Sequence, residues 1–186
     1  MNLTITDRAS LERTLREHGI PLERWGVEKA KSPADLLKEI LSGESTLQVL
    51  DGKLVRSLRV VFVDVCFNKE GKLLVLKEDR QIFADGRTRS RELEGSIGEK
   101  LVASEDEALG ARRGLHEELG FPIDIEVRPY GISRETIESP SFPGLTSEYL
   151  KYRFSTTISA DLFKAEGYVE DDGRKETYFV WTEAQS

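Results

Sequence analysis

The stretch Glu105 to Phe121, EDEALGARRGLHEELGF, constrains the chain more than any other. Apolar and acidic residues sort here at three- and four-residue steps, through Leu109, Arg113, Glu117 on one line and Leu115, Glu118 beside it, which is the periodicity of a helix. The spacing predicts one helix over 105–119. Asp106 and Glu107 fall in its first turn, where the helix dipole favours negative charge. Ser104 reads as the N-cap, with Glu107 completing a capping box. Gly120 suits a left-handed stop, and Pro122 prevents continuation.

Positions 114, 117 and 118 share a face of such a helix. Adjacent ionised carboxylates raise each other's pKa unless a cation compensates. A hard divalent ion with oxygen ligands is the natural compensator, and Mg²⁺ typically takes one or two carboxylates together with substrate phosphates. Arg113 can pair with Glu117 at i+4 and orient it. The competing reading is a solvated acidic face, common in an acidic protein. Gly114 and Gly110 form Gly-x-x-x-Gly on this helix. A mid-helix glycine costs roughly 1 kcal/mol against alanine, so Gly114 answers either to the close approach of another chain segment or to space for a ligand.

Glu105, Arg113, Leu115, Glu117, Glu118, Gly120 and Phe121 together resemble the signature of the Nudix hydrolases: Gly, five residues, Glu, seven residues, then Arg-Glu-apolar-any-Glu-Glu-any-Gly-apolar. Two positions depart from it. Gly114 stands where the pattern has Glu, and Glu99 stands where it has its first Gly, with Gly98 one residue early. The resemblance implies an α/β fold, a Nudix-type α/β/α sandwich around a mixed β-sheet. It implies Mg²⁺- or Mn²⁺-dependent hydrolysis of a small-molecule diphosphate linked to another moiety, most simply a nucleoside diphosphate derivative. In that scheme Glu117 and Glu118 hold metal, with a backbone carbonyl near Gly98, Arg113 orients the carboxylates, and Glu105 joins the ligand shell or hydrogen-bonds a box residue. Because the family's ligand at 114 is a glycine here, Glu148, Glu99 and Glu118 are all open as the base. A catalytically weak Nudix-fold module that binds a nucleotide or a protein partner is the alternative.

The 186-residue length fits one domain with an extension. Residues 1–45 are expected to form an N-terminal helical extension and residues 46–186 the Nudix-like domain. Asp7 to His18 has helical periodicity through Leu11 and Leu15. Pro33 to Leu41 is a second helix, with Ser32 as N-cap and Gly43 as stop. Trp25 between them is expected to anchor the extension. Three roles are open to this segment: covering a sheet edge, shaping the pocket, or mediating a homodimer. The chain then turns to strands. Asp51-Gly52 suits a type I′ hairpin turn, Leu58 to Phe67 reads as a central strand buried on both faces, and Lys72 to Glu78 as its antiparallel partner. Ile123 to Ile137, Glu148 to Ser159 and Thr177 to Trp181 are further strands, with Pro129 marking an edge or bulge. Asp161 to Arg174 reads as an acidic, mobile segment. A family-type closing helix has little room after Trp181, so either the N-terminal helices replace it or the chain is shortened.

Net charge is −7, which argues against general nucleic-acid binding by phosphate neutralisation. A lone cysteine excludes an internal disulfide and a cysteine zinc site, and Cys66 reads as a small core hydrophobe. No secretory leader or membrane-length apolar run is legible, so the expectation is a cytoplasmic protein without membrane contact. Arg80, Arg87, Arg89 and Arg91 read either as scattered, solvated side chains or, near a metal-phosphate site, as groups that could bind diphosphate oxygens bidentately.

Overall fold

The computed structural model describes residues 3–27 and 29–184. Met1, Asn2 and Ser186, the ends of the two expected segments, therefore lie outside the described residues. The elements run α1 (Arg8–Glu17), α2 (Pro33–Leu41), β1 (Thr46–Leu50), β2 (Lys53–Lys69), β3 (Lys72–Phe83), β4 (Thr88–Arg89), β5 (Ile97–Lys100), α3 (Glu107–Leu119), β6 (Arg128–Glu138), β7 (Thr146–Thr157), β8 (Tyr168–Asp171) and β9 (Lys175–Glu183).

The strands form one sheet in the order β6-β7-β2-β3-β9-β8, with β1 and β5 also paired to β2 and β4 to β3. The pairs β1–β2, β2–β3, β3–β9 and β8–β9 are antiparallel. β2 and β7 run parallel: Arg56 donates to Ser147 near one end, and Ile158 N–H donates to Cys66 C=O near the other. The fold is thus α/β with a mixed sheet. Asp51 and Gly52 both have positive φ, 49° and 76°, which gives the type I′ turn that matches strand twist. β6 lies at the sheet edge, where Pro129 forfeits no interior ladder bond.

The chain divides into two compact units. The first comprises Met1–Val60, Lys100–Glu105 and Ser133–Lys151. Its core joins Leu11 and Leu15 of α1, Leu36 of α2, Trp25, Leu47, Leu54, Phe142 and Leu145. α2 is capped by Ser32 with Pro33 at its first position. Trp25 Nε1 donates to Pro143 C=O at 2.8 Å, and its ring lies 5.0 Å from that of Phe142. Under this core Glu39, 4% exposed, accepts from Arg56 at 2.5 Å, Lys100 at 2.5 Å and Lys31 at 2.7 Å. Burial works against ionisation of Glu39, yet Arg56 and the two lysines hold its carboxyl down to about 2.

The second unit comprises Val61–Glu99, Asp106–Ile132 and Tyr152–Ser186. Val61, Val63 and Val65 of β2, Leu76 of β3, Ile97 of β5, Ala111 and Leu115 of α3, and Phe179 of β9 are all buried. Ser96 ties this core together: its hydroxyl accepts from Val65 N–H at 2.8 Å and donates to Leu76 C=O at 2.6 Å. The acidic segment expected to be mobile contains β8, paired to β9 from Tyr168–Phe179 to Asp171–Glu176. Tyr168 is held by burial against Phe121 and by its hydroxyl on Leu162 C=O. Ile123 to Val127 is not strand, and β6 begins only at Arg128. Cys66 is half-buried rather than core. Partial burial beside Asp64 pushes its thiol up.

Candidate functional site

α3 is shorter at its start than its sequence suggests. Asp106, not Ser104, is the N-cap, accepting from Ala108 N–H at 3.0 Å and Leu109 N–H at 3.1 Å. Ser104 takes φ +65° in the preceding turn, a conformation that places it outside the helix. The end is as expected: Gly120 is left-handed at φ +71°, its N–H reaches His116 C=O, and Phe121 N–H reaches Leu115 C=O.

The buried face of α3 is Gly110, Ala111, Gly114, Leu115 and Leu119. Gly114 faces β5. A Cβ added there would stand 3.1 Å from Glu99 Cβ and 3.1 Å from Ile97 Cδ1. Between the two explanations the sequence left open, the structure presents close approach, and the neighbour is itself a glutamate.

Arg113 lies between two carboxylates, 3.2 Å from Glu117 Oε2 and 3.5 Å from Glu99 Oε1. Glu117 is exposed, while Glu118 is half-buried. Burial, then the like charges of Glu170 and Glu99, push the Glu118 carboxyl up to about 8, with Arg91 opposing and Glu78 adding to the rise. Glu78 is buried and held by Arg91 through a fork, Nε to both oxygens at 2.9 and 3.1 Å and Nη2 at 2.8 Å. The β3–β9 register shifts between Glu78 and Arg80, a bulge of the kind that re-aims side chains beside sites. Lys77, Glu78, Arg91, Glu92, Leu93 and Gly95 line a cleft of about 360 Å³.

The remaining expected residues lie as follows. Gly98 sits within β5, and a Cβ there would stand 2.9 Å from the Phe62 ring, so the ring's packing requires the glycine. Glu105 belongs to the first unit, where it accepts from Val102 N–H at 3.0 Å. Glu148, also in the first unit, stands 3.5 Å from the Ser57 hydroxyl and 3.8 Å from Arg134. Of the four arginines, Arg91 reaches the cleft, whereas Arg80 and Arg87 pair with Asp79 and Asp85 beside them.

Glu170 and Glu78 are not among the site residues that the sequence points to. Glu170 was hidden in the segment read as mobile, although Tyr168 and Glu170 alternate as strand residues do. Glu78 had no local signal, because the bulge that aims it depends on β9. Among the described residues, no three His, Cys, Asp or Glu side chains stand close enough together to hold an ion between them. No helix among them is long and apolar enough to cross a membrane.

No protein-family model and no curated protein sequence matches the chain. Solved structures do. The Ap4A hydrolase of C. elegans is 12% identical over 68% of this chain and 80% of that one, with a TM-score of 0.40. The NUDIX domain of Shewanella oneidensis NrtR, complexed with ADP ribose, is 10% identical over 68% and 73%, with a TM-score of 0.43. A MutT/nudix family protein from Enterococcus faecalis is 12% identical over 98% of this chain and 58% of that one, with a TM-score of 0.47. The chain is therefore similar to structures titled as Nudix and MutT proteins, the family whose signature residues 105–121 resemble.

Proposed function

We propose that this chain is a metal-dependent hydrolase of a diphosphate linked to another moiety, with a nucleoside diphosphate derivative as the substrate class. The observation that carries the reading is Glu118: a half-buried carboxylate that feels the like charges of Glu170, Glu99 and Glu78, with Arg91 opposing. A cluster of that sign and burial favours a cation. Its donors are hard oxygens, which suit Mg²⁺ or Mn²⁺. Since no three ligands among the described residues enclose an ion by themselves, the shell needs further oxygens, and Mg²⁺ takes these from substrate phosphates and water.

Glu118 and Glu117 would hold the metal, which would supply charge neutralisation at the diphosphate and activation of water. Arg113 orients Glu117 and Glu99 through the contacts above. Arg91, fixed in direction by Glu78, presents its guanidinium to the cleft, where a phosphate oxygen would compete for it. Gly98, in the same unit, keeps the lesser role that the resemblance implies, a backbone oxygen.

The test is phosphate release from a panel of nucleoside diphosphate derivatives with Mg²⁺ or Mn²⁺, against Glu117→Gln and Glu118→Gln. Turnover that needs metal and is lost in Glu118→Gln supports the reading. Turnover unchanged in both variants refutes it. Gly114 favours a second reading, a weakly catalytic module that binds a phosphorylated ligand or a protein partner. Metal-dependent ligand binding without turnover would select it.

A further inference from the structure

We propose that the first unit carries a binding site for a small zwitterion with an apolar body, an α-amino acid of the leucine or phenylalanine kind, in a gap of the sheet beside Leu58. The proposal does not rest on the hydrolase reading. Every residue that lines the gap belongs to the first unit, whereas Glu117 and Glu118 belong to the second.

The gap follows from the strand pairing. β2 is 17 residues long and changes partners along its length. β1 begins at Thr46, opposite Ser57. Two residues further on, Arg59 C=O accepts from Leu101 N–H at 3.0 Å, just past the end of β5. A cavity of about 250 Å³ opens where β2 passes from one partner to the other. The segment before β1 and the segment after β5 form two of its walls, and these touch directly. A Cβ on Gly43 would stand 3.2 Å from Ala103 Cβ, and Gly43 has φ +79°. Pockets for drug-sized ligands run to about 300–1,000 Å³, so this one takes a smaller molecule.

The lining sets the chemical class. Leu58 and Leu101 are buried and Leu150 half-buried, which gives the cavity an apolar wall. Its ionisable groups are Glu44 and Glu148 on one side of the charge balance and Arg59 and Arg134 on the other. That balance favours neither a polyanion nor a polycation; it suits a molecule with one charge of each sign. Arg134 and Glu148 stand 3.8 Å apart, and the second Glu148 oxygen is 3.5 Å from the Ser57 hydroxyl. Both contacts are at or beyond the limit of a hydrogen bond. A ligand carboxylate on the Arg134 fork and a ligand ammonium on Glu148 would replace this loose pair with two charge-assisted ones.

Ser45 is the independent observation. It lines the cavity, is 2% exposed, and its hydroxyl has no hydrogen-bond partner among the described residues. A buried hydroxyl left unpaired destabilises the free protein. It can both donate and accept, so either end of a zwitterion satisfies it.

The test is calorimetry and thermal melting of the full chain with leucine and phenylalanine. Three truncated probes are compared: 4-methylpentanoate lacks the ammonium, 3-methylbutylamine lacks the carboxylate, and glycine lacks the apolar body. Leucine or phenylalanine should bind and raise the melting temperature, and the first two probes should bind about tenfold more weakly or worse. Glycine should not bind measurably. Glu148→Gln should weaken leucine about tenfold but spare 4-methylpentanoate, and Arg134→Gln should weaken leucine about tenfold but spare 3-methylbutylamine. A merely structural role for these residues would not separate the probes in this way. Ser45→Ala should raise the ligand-free melting temperature and weaken leucine about two- to tenfold. No binding of either amino acid at millimolar concentration overturns the proposal. So does equal binding of leucine and either charged probe, or leucine affinity unchanged in Glu148→Gln and Arg134→Gln. None of these outcomes bears on diphosphate hydrolysis, which is measured separately.

Discussion

Replacing Glu39 by glutamine should change stability in a way that depends on pH. Glu39 is 4% exposed and takes hydrogen bonds from Arg56, Lys100 and Lys31. Its carboxyl falls from 4.5 to about 2 on folding, which corresponds to about 3 kcal/mol of stability. The folded-state value is depressed, so this contribution is fully present above the ordinary carboxylate value and is lost as pH falls through the folded one. By pH 3 about 2 kcal/mol of it is gone. Glutamine keeps the volume but leaves Arg56, itself 3% exposed, with the Ser147 hydroxyl and the Phe142 ring as its other contacts. An uncompensated buried charge costs roughly 3–5 kcal/mol. Urea denaturation of both proteins at pH 7 and pH 3 is the assay. The gap between them should be about 3–5 kcal/mol at pH 7 and about 2 kcal/mol smaller at pH 3. A gap that does not change with pH would refute the claim that ionised Glu39 organises this network. A gap below about 1 kcal/mol at pH 7 would put the pair in the class of surface ion pairs.

Asp106→Ala should cost about 1 kcal/mol by removing the α3 cap, whereas Ser104→Gly should be neutral or stabilising by up to about 1 kcal/mol, since Ser104 has positive φ; thermal melts giving the reverse order would refute the cap assignment. Trp25→Ala should cost about 3–5 kcal/mol through lost burial, and Trp25→Phe only about 1–3 kcal/mol through the lost hydrogen bond to Pro143; equal losses in chemical denaturation would show that the ring packing contributes little. In metal-free buffer near pH 8, Glu118→Gln should raise the melting temperature, because it removes a desolvated charge facing Glu170 and Glu99; a fall would mean that ionised Glu118 has a stabilising partner.

Local chemistry made much of the fold legible. Ser32-Pro33 fixed the start of α2 because a cap hydroxyl and a proline at the first position act within one turn. Asp51-Gly52 set the β1–β2 register because its turn geometry needs only two residues. Gly120 ended α3 for the same kind of reason. The start of α3 was ambiguous because Ser104 and Asp106 are both good caps, and the choice was made by the turn that sends Ser104 to positive φ. β8 was missed because its residues are acidic and its order comes from β9 and from the packing of Tyr168, neither of which is local.

The site divides in the same way. By itself the sequence determined that Arg113 would stand one turn before Glu117 on α3 and pair with it, because helical periodicity is a property of neighbouring residues. It could not say what Gly114 makes room for, nor that Glu118 would feel the charges of Glu99, Glu78 and Glu170. Those carboxylates come from β5, β3 and β8, and tertiary structure alone decides that their charges act on Glu118. The contact of Glu99 with Gly114 joins residues fifteen positions apart in sequence through the packing of a strand on a helix, and the burial that moves the Glu118 carboxyl exists only once that packing has excluded water.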